Sequence, residues 1–80
     1  MMKIKVEQKH IDAGERWSPL NCPVALAIKE VYPEVVLVLS DSVETKEHSF
    51  PMPEDVRAFV EDFDSDKPVS AFEFELSLNK

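Results

Sequence analysis

The sequence predicts a small α+β domain, and three patterns lead to this prediction. Residues 2–7 and 72–78 alternate apolar and polar side chains, which is the period of half-buried strands. Residues 56–63 place apolar side chains three and four positions apart, as in a helix that packs on a sheet. With the elements between them, we expect one domain over residues 1–80, in the order β-α-α-β-β-α-β. Its sheet would be four-stranded and mainly antiparallel, with two principal helices and a short extra helix.

The segment after the first strand predicts the short extra helix. Gln8 to Ala13 contains helix formers and stops at Gly14, the only glycine of the chain. A glycine in this position commonly closes a helix in the left-handed backbone conformation. Residues 15–21 are polar and contain a proline, so they predict a loop, with Trp17 exposed in it.

The second helix is predicted to start at Pro23, because proline suits the first helical position. Cys22 would then be the N-cap, with Asn21 as an alternative cap. Pro33 ends the helix, since the residue before a proline avoids helical geometry. The face expected to pack on the sheet consists of four apolar residues: Val24, Ala27, Ile28 and Val31.

The second half predicts two strands, a helix and the last strand. Residues 34–40 contain the run Val35–Leu39, which is apolar on both faces and is typical of a central strand. Its second face would be covered either within the fold or by a subunit interface. Residues 43–50 are more polar and predict one strand near an edge. Pro53 starts the last helix, whose first turn is acidic and whose apolar stripe is Val56, Phe59, Val60 and Phe63.

Composition limits the classes of partner and the compartment. The chain has 16 acidic and 9 basic residues, a formal charge of −7, so DNA, RNA and anionic lipid are not expected partners. This charge is typical of a soluble domain. The more specific alternative is a DNA mimic, an acidic protein that binds a nucleic-acid-binding partner in place of DNA. The single cysteine excludes an intrachain disulfide and a multi-cysteine zinc site. No run resembles a leader or a membrane span, which predicts a cytoplasmic protein.

Two features of the sequence bear on catalysis and metal binding. Cys22 lies at a helix start, where the helix dipole lowers a thiol pKa and favours nucleophilic chemistry. A cysteine nucleophile also needs a general base, and the sequence spacing does not relate His10 or His48 to Cys22. The preferred interpretation is therefore a capping residue. Two isolated histidines do not predict a metal site either. We therefore expect that the chain is not an enzyme and that it binds neither a metal ion nor a cofactor.

The segment from Arg16 to Pro23 is the candidate ligand site. Free N–H groups at the start of the second helix favour anions, and Arg16 adds a group that binds phosphate. Trp17 offers a flat face on which a nucleobase stacks. In the alternative interpretation there is no ligand: Arg16 pairs with Glu15 or Asp12, and Trp17 covers the core. The predicted ligand-binding residues are Arg16, Trp17, Ser18, Asn21, Cys22, Pro23 and Lys67.

Several segments resemble a widespread family of small phage-encoded proteins over nearly the whole chain. They are Ile-Asp-x-Gly at 11–14, Cys-Pro-Val-Ala-Leu-Ala at 22–27, the proline-led helix at 51–64, and Pro-Val-x-x-Phe-Glu-Phe at 68–74. The family in turn resembles anti-CBASS sponges, which are small viral anti-defence oligomers. The resemblance implies a homo-oligomer, a tetramer, in the host cytoplasm. It would sequester a cyclic dinucleotide such as 3′,3′-cyclic GMP-AMP without cleaving it.

Two other hypotheses stay open at this point. In the first, an acidic protein-interaction module docks on a host protein and inhibits it, which the negative charge and the apolar segment 35–39 favour. In the second, the chain is an enzyme that uses Cys22. The sequence alone leaves both beside the sponge hypothesis.

Overall fold

The computed structural model describes residues 2–32, 36–39, 41–46 and 48–76. Among them the elements are β1 (Met2–Val6), α1 (Gln8–Ala13), α2 (Pro23–Val31), β2 (Leu37–Val38), β3 (Ser42–Glu44), β4 (Ser49–Pro51), α3 (Glu54–Asp64) and β5 (Phe72–Leu76). The α+β class and the antiparallel pairing are confirmed. The described strands form two sheets, β1-β5 and β2-β3-β4, where the sequence predicts a single sheet of four strands.

The β1-β5 sheet confirms the two alternating segments over residues 2–6 and 72–76, whereas residues 77 and 78 lie outside the described residues. β1 and β5 pair antiparallel, with Ile4 opposite Phe74 and Val6 opposite Phe72. Ile4, Val6 and Phe74 are buried, whereas Lys3 on the other face forms an exposed ion pair with Glu73. One face therefore joins the core and the other faces water, as a period of two requires.

The prediction of one strand over residues 43–50 is wrong, because this segment is the main part of a hairpin. β3 and β4 pair antiparallel with Val43 opposite Phe50, and both side chains are buried. The Thr45 N–H donates to the His48 carbonyl at 2.8 Å, and the His48 N–H donates to the Thr45 hydroxyl at 3.0 Å. A threonine side chain thus closes a turn that has no glycine, proline or asparagine to mark it.

The prediction of a central strand over residues 34–40 is also wrong for its described part. β2 lies at the edge of its sheet, since β3 has β2 on one side and β4 on the other. Val38 is buried, but Leu37 and Leu39 are 37% and 40% exposed. The Val38 N–H donates to the Pro19 carbonyl at 2.9 Å, so the loop before α2 covers the outer edge of β2. Residues 34, 35 and 40 lie outside the described residues.

The helix predictions hold with two exceptions, at the start of α3 and at the end of α2. Pro53 is the N-cap of α3, which begins at Glu54, and not its first residue. Cys22 is the N-cap and Pro23 the first residue of α2. Val24, Ala27 and Ile28 are buried, as expected. Val31, the last residue of α2, is 50% exposed, and Pro33, predicted to end the helix, lies outside the described residues. The stripe of α3 packs inward, and the rings of Phe59 and Phe72 lie 4.7 Å apart between centroids.

Gly14 follows α1 as expected, but its predicted left-handed conformation is wrong. Its φ is −72° and its ψ is 155°, an extended backbone that any residue adopts. The glycine is required for space instead, since a Cβ there would lie 2.6 Å from the Cδ and Cγ of Pro23. Left-handed backbone occurs at Trp17 and Asp66, with φ values of 58° and 64°.

Candidate functional site

A cleft of about 580 Å³ lies between the loop before α2, the β2 edge and α3. We call it the Trp17 cleft. Its apolar lining includes Val38, Met52 and Val60, with Trp17 on the loop side. Its polar lining comes mainly from α3. The volume lies within the roughly 300–1,000 Å³ of ligand pockets, and the mainly apolar lining is also typical of them.

Trp17 is exposed yet fixed in position. Its side chain is 75% exposed, and its backbone is left-handed, which is rare for a bulky residue. The backbone N–H of Trp17 donates to Asp64 Oδ1 at 2.9 Å, and the neighbouring Arg16 forms an ion pair with Asp66. Asp66 is also left-handed. Such residues cost about 1–3 kcal/mol each and persist where their surroundings fix them. The two contacts hold the loop against the end of α3.

The structure places some of the predicted site residues on this cleft and leaves others outside its lining. Trp17, Ser18 and Cys22 line it. Arg16 is beside Trp17 and pairs with Asp66 rather than with Glu15 or Asp12, while the exposed Trp17 does not cover the core. Arg16 itself lies outside the lining, and so do the other three predicted residues, Asn21, Pro23 and Lys67.

These three residues have structural partners. The Asn21 N–H donates to the Ser18 hydroxyl at 3.1 Å, which closes the turn before α2. Pro23 is buried against Gly14. Lys67 Nζ lies 4.0 Å from Asp62 Oδ1. All three therefore support the local fold.

The start of α2 differs from the expected anion site. The Ala25 N–H donates to Cys22 Sγ at 3.5 Å, and Cys22, Val24 and Ala25 are all buried. The first amides of the helix therefore face the cysteine side chain and the core. This geometry leaves no open cradle for a phosphate at the helix start.

Cys22 lines the cleft as a capping residue. Burial raises the pKa of its thiol above the ordinary value, the amides of Ala25 and Val24 oppose this shift, and the nearby Asp64 charge adds to it. A protonated thiol is a weak nucleophile. None of the described residues that line the cleft is a histidine able to act as its base. The effect of burial therefore exceeds that of the helix start.

The sequence interpretation missed the polar residues that α3 contributes. Arg57, Glu61 and Asp64 line the cleft, and Arg57 Nε lies 3.7 Å from Glu61 Oε2. Their spacing of four and three residues places them on one side of the helix, which the sequence does indicate. No sequence signal shows that this side meets the loop around Trp17.

The cleft is electronegative. Its lining has one guanidinium, Arg57, and two carboxylates, Glu61 and Asp64. Both acidic residues belong to the C-terminal part of α3, whose last turn contains no basic residue. The helix macrodipole places partial negative charge at the same end. A cationic or neutral group is therefore favoured over an anion in this part of the cleft.

Exposed apolar side chains continue from the cleft onto the neighbouring surface. Leu39 lines the cleft, and Leu37 lies two residues before it on the same face of the strand. Leu20 follows Pro19, whose carbonyl binds β2. The three leucines are 37–42% exposed. We call Trp17, Leu20, Leu37 and Leu39 the Trp17 surface. Exposed apolar side chains grouped around a cleft are typical of interaction sites.

The part of the chain that the structure describes holds no group of three or more His, Cys, Asp or Glu side chains able to bind a metal ion. Each helix in that part is too short or too polar to cross a membrane. No family model, no curated protein sequence and no solved structure matches this chain.

Proposed function

We propose that this chain is a non-catalytic binding protein that docks on a protein partner through the Trp17 surface and the adjoining cleft. The observation that carries the proposal is Trp17 itself, three-quarters exposed on a left-handed backbone that Asp64 and the Arg16–Asp66 pair hold. An exposed tryptophan on a backbone held in this way suits recognition, because tryptophan is enriched among the residues that dominate binding energy.

The extent of the surface favours a protein over a small molecule. A ligand that fills only the cleft would cover Trp17 and Leu39 but leave Leu20 and Leu37, which lie outside its lining. A protein segment would place an apolar side chain in the cleft and cover both leucines. Burial of apolar surface contributes roughly 25 cal/mol per Å², so all four residues add to such an interface.

The chemistry of the cleft supports binding without turnover. The Cys22 thiol is buried and has a raised pKa, which makes it a poor nucleophile. The other lining groups are apolar, hydroxyl-bearing or engaged with one another, as in the Arg57–Glu61 pair. The partner would be inhibited or sequestered by occupancy, in agreement with the acidic interaction module among the hypotheses from the sequence.

Site-specific photo-crosslinking tests the docking proposal. A photoreactive residue is introduced at position 37 or 39, and at position 31 as the control, since Val31 is 50% exposed but lies outside the surface. The proteins are irradiated in extract of the cells that produce the chain naturally. We expect one common partner from positions 37 and 39 but not from 31. The purified partner should bind the unmodified chain and lose at least tenfold in affinity with Trp17→Ala. Equal adducts from all three positions would contradict the proposal.

A second candidate is the capture of a cyclic dinucleotide in a host cytoplasm, which the resemblance implies. The specific observation in its favour is the Trp17 ring with two guanidinium groups nearby, Arg57 in the cleft and Arg16 beside it. Both are in exposed ion pairs, which are worth about 0–1 kcal/mol, so phosphate groups would displace Asp66 and Glu61 at small cost. The electronegative end of α3 opposes this ligand.

Thermal-shift and calorimetric titrations with a panel of cyclic di- and trinucleotides test the second candidate. A ligand at 100 times its Kd would stabilise the fold by about 2.7 kcal/mol, a shift of several degrees. The shift should persist in Val31→Ala and disappear in Trp17→Ala, and the ligand should be recovered intact. Sedimentation of the same samples tests the tetramer that the resemblance implies. No shift across the panel would eliminate this candidate and leave the docking proposal unaffected.

A further inference from the structure

We infer that the partner segment brings a positively charged side chain to the C-terminal end of α3, beside the apolar group that enters the Trp17 cleft. This inference rests on the proposed docking function and names the chemistry of the partner. The charges of α3, the ion pairs around its end and the position of the cleft support it.

The acidic residues at the two ends of α3 interact differently with the helix dipole. Glu54 and Asp55 lie in the first turn, where negative charge is stabilising. The C-terminal turns hold Glu61, Asp62 and Asp64 and no basic residue, although negative charge is unfavourable there. A sequence that follows the rule at one end and opposes it at the other is typical of a surface used for binding.

The chain itself compensates this charge only in part. Glu61 pairs with Arg57, Asp62 with Lys67 and Asp66 with Arg16, and all six side chains are about half exposed or more. Asp64 accepts the Trp17 N–H instead, and no lysine or arginine among the described residues forms an ion pair with it. Four carboxylates thus meet three cations, at the negative end of a helix dipole.

The cleft joins this charge to the apolar surface. Glu61 and Asp64 line the same cleft as Leu39 and Val60, so a segment that buries an apolar side chain there passes both carboxylates. A lysine or arginine one helical turn from that apolar side chain would lie between them. The formal charge of −7 steers a basic segment toward the chain and repels an acidic one. The segment that fits is a basic amphipathic helix or loop.

Three synthetic peptides of one length test the inference. They share leucines at helical spacing and carry lysine, glutamine or glutamate at all other positions. Trp17 is the only tryptophan of the chain, so its fluorescence reports binding when the peptides contain no aromatic residue. We expect the lysine peptide to bind at least tenfold more tightly than the glutamine peptide, and the glutamate peptide to bind weakest. Added salt should reduce the advantage of lysine, since it screens exposed charges.

A charge-matched pair of variants locates the effect. Glu61→Gln with Asp64→Asn removes two carboxylates from the cleft and keeps an acceptor for the Trp17 N–H. Glu73→Gln with Glu75→Gln removes two from the exposed face of β5. The first double variant should lose most of the difference in affinity between the lysine and glutamine peptides. The second double variant should keep that difference. Equal affinity for the lysine and glutamine peptides would overturn the inference and leave the docking proposal standing, whereas failure of all three peptides would overturn both.

Discussion

The Trp17 N–H donates to the Asp64 carboxylate at 2.9 Å, a contact between residues 47 positions apart. It holds the left-handed backbone of an exposed tryptophan against the last turn of α3. One hydrogen bond therefore connects the backbone of the exposed Trp17 with the acidic end of the helix. The proposed interaction surface depends on this relationship.

Asp64→Ala removes the acceptor for the Trp17 N–H, whereas Asp64→Asn retains one. We expect Asp64→Ala to lower the free energy of unfolding by about 1 kcal/mol, the usual contribution of one hydrogen bond. The fluorescence anisotropy of Trp17 should also fall, because the loop is released. Urea titration and anisotropy measure the two effects. Identical behaviour of the alanine and asparagine variants would show that this hydrogen bond does not fix the loop.

Gly14→Ala should destabilise the fold. The extended backbone at Gly14 accepts alanine, and reduced entropy of the unfolded chain alone would stabilise the protein by about 0.4–1 kcal/mol. A Cβ would, however, lie 2.6 Å from two carbon atoms of the buried Pro23 ring. Overpacking of this kind costs typically 1–3 kcal/mol, so the clash exceeds the entropic gain. A higher melting temperature for Gly14→Ala would contradict the close approach of the two residues.

The buried Cys22 thiol should make stability depend on alkaline pH. Its pKa is raised in the folded state, so the unfolded chain ionises first and the thiol's contribution to stability is lost as pH rises through the folded pKa. At neutral pH the wild type should be more stable than Cys22→Ala, because the thiol is packed and caps α2. The difference should narrow as pH rises above the ordinary thiol range. Urea titrations of both proteins under reducing conditions measure it, and a constant difference would refute the expectation.

Glu30 should make stability depend on acidic pH. Its contribution should be lost as pH falls, whereas that of Cys22 is lost as pH rises. Its carboxylate lies 3.0 Å from His10 Nε2 and 3.2 Å from Lys9 Nζ, and these contacts, led by that with His10, lower its pKa. Stability from a lowered pKa is present at neutral pH and is lost as pH falls through the folded value. Glu30→Gln should therefore be less stable than wild type at pH 7 and equal to it in strong acid. The control is Glu15→Gln, which changes an exposed residue outside these contacts. Its stability relative to wild type should not change in this way between pH 7 and strong acid.

Elements specified by neighbouring residues could be predicted from the sequence. β1 and β5 show strict alternation because each has one buried and one exposed face. The start of α2 follows from Cys22 and Pro23 alone. The β3–β4 hairpin was missed because a Thr45 hydroxyl closes its turn, and threonine is not a distinctive turn residue. The edge position of β2 depends on that hairpin and was missed with it.

The candidate site was predictable on one side only. Trp17 and Cys22 belong to a local cluster and could be identified, although the phosphate cradle expected with them is closed by the cysteine side chain. Arg57, Glu61 and Asp64 come from a helix about 40 residues later. Their spacing shows that they share a side of α3, but tertiary packing decides which surface that side meets.

Amide chemical-shift mapping with the neutral leucine–glutamine peptide tests the central claim most directly, because it does not depend on charge. The account expects saturable shifts at residues 17–20, at residues 37–39 and on the cleft side of α3. They should disappear in Trp17→Ala and persist in Val31→Ala, which alters an equally apolar residue outside the surface. Shifts scattered over the chain, or centred on the end of α2, would contradict the claim that the Trp17 surface is the binding site.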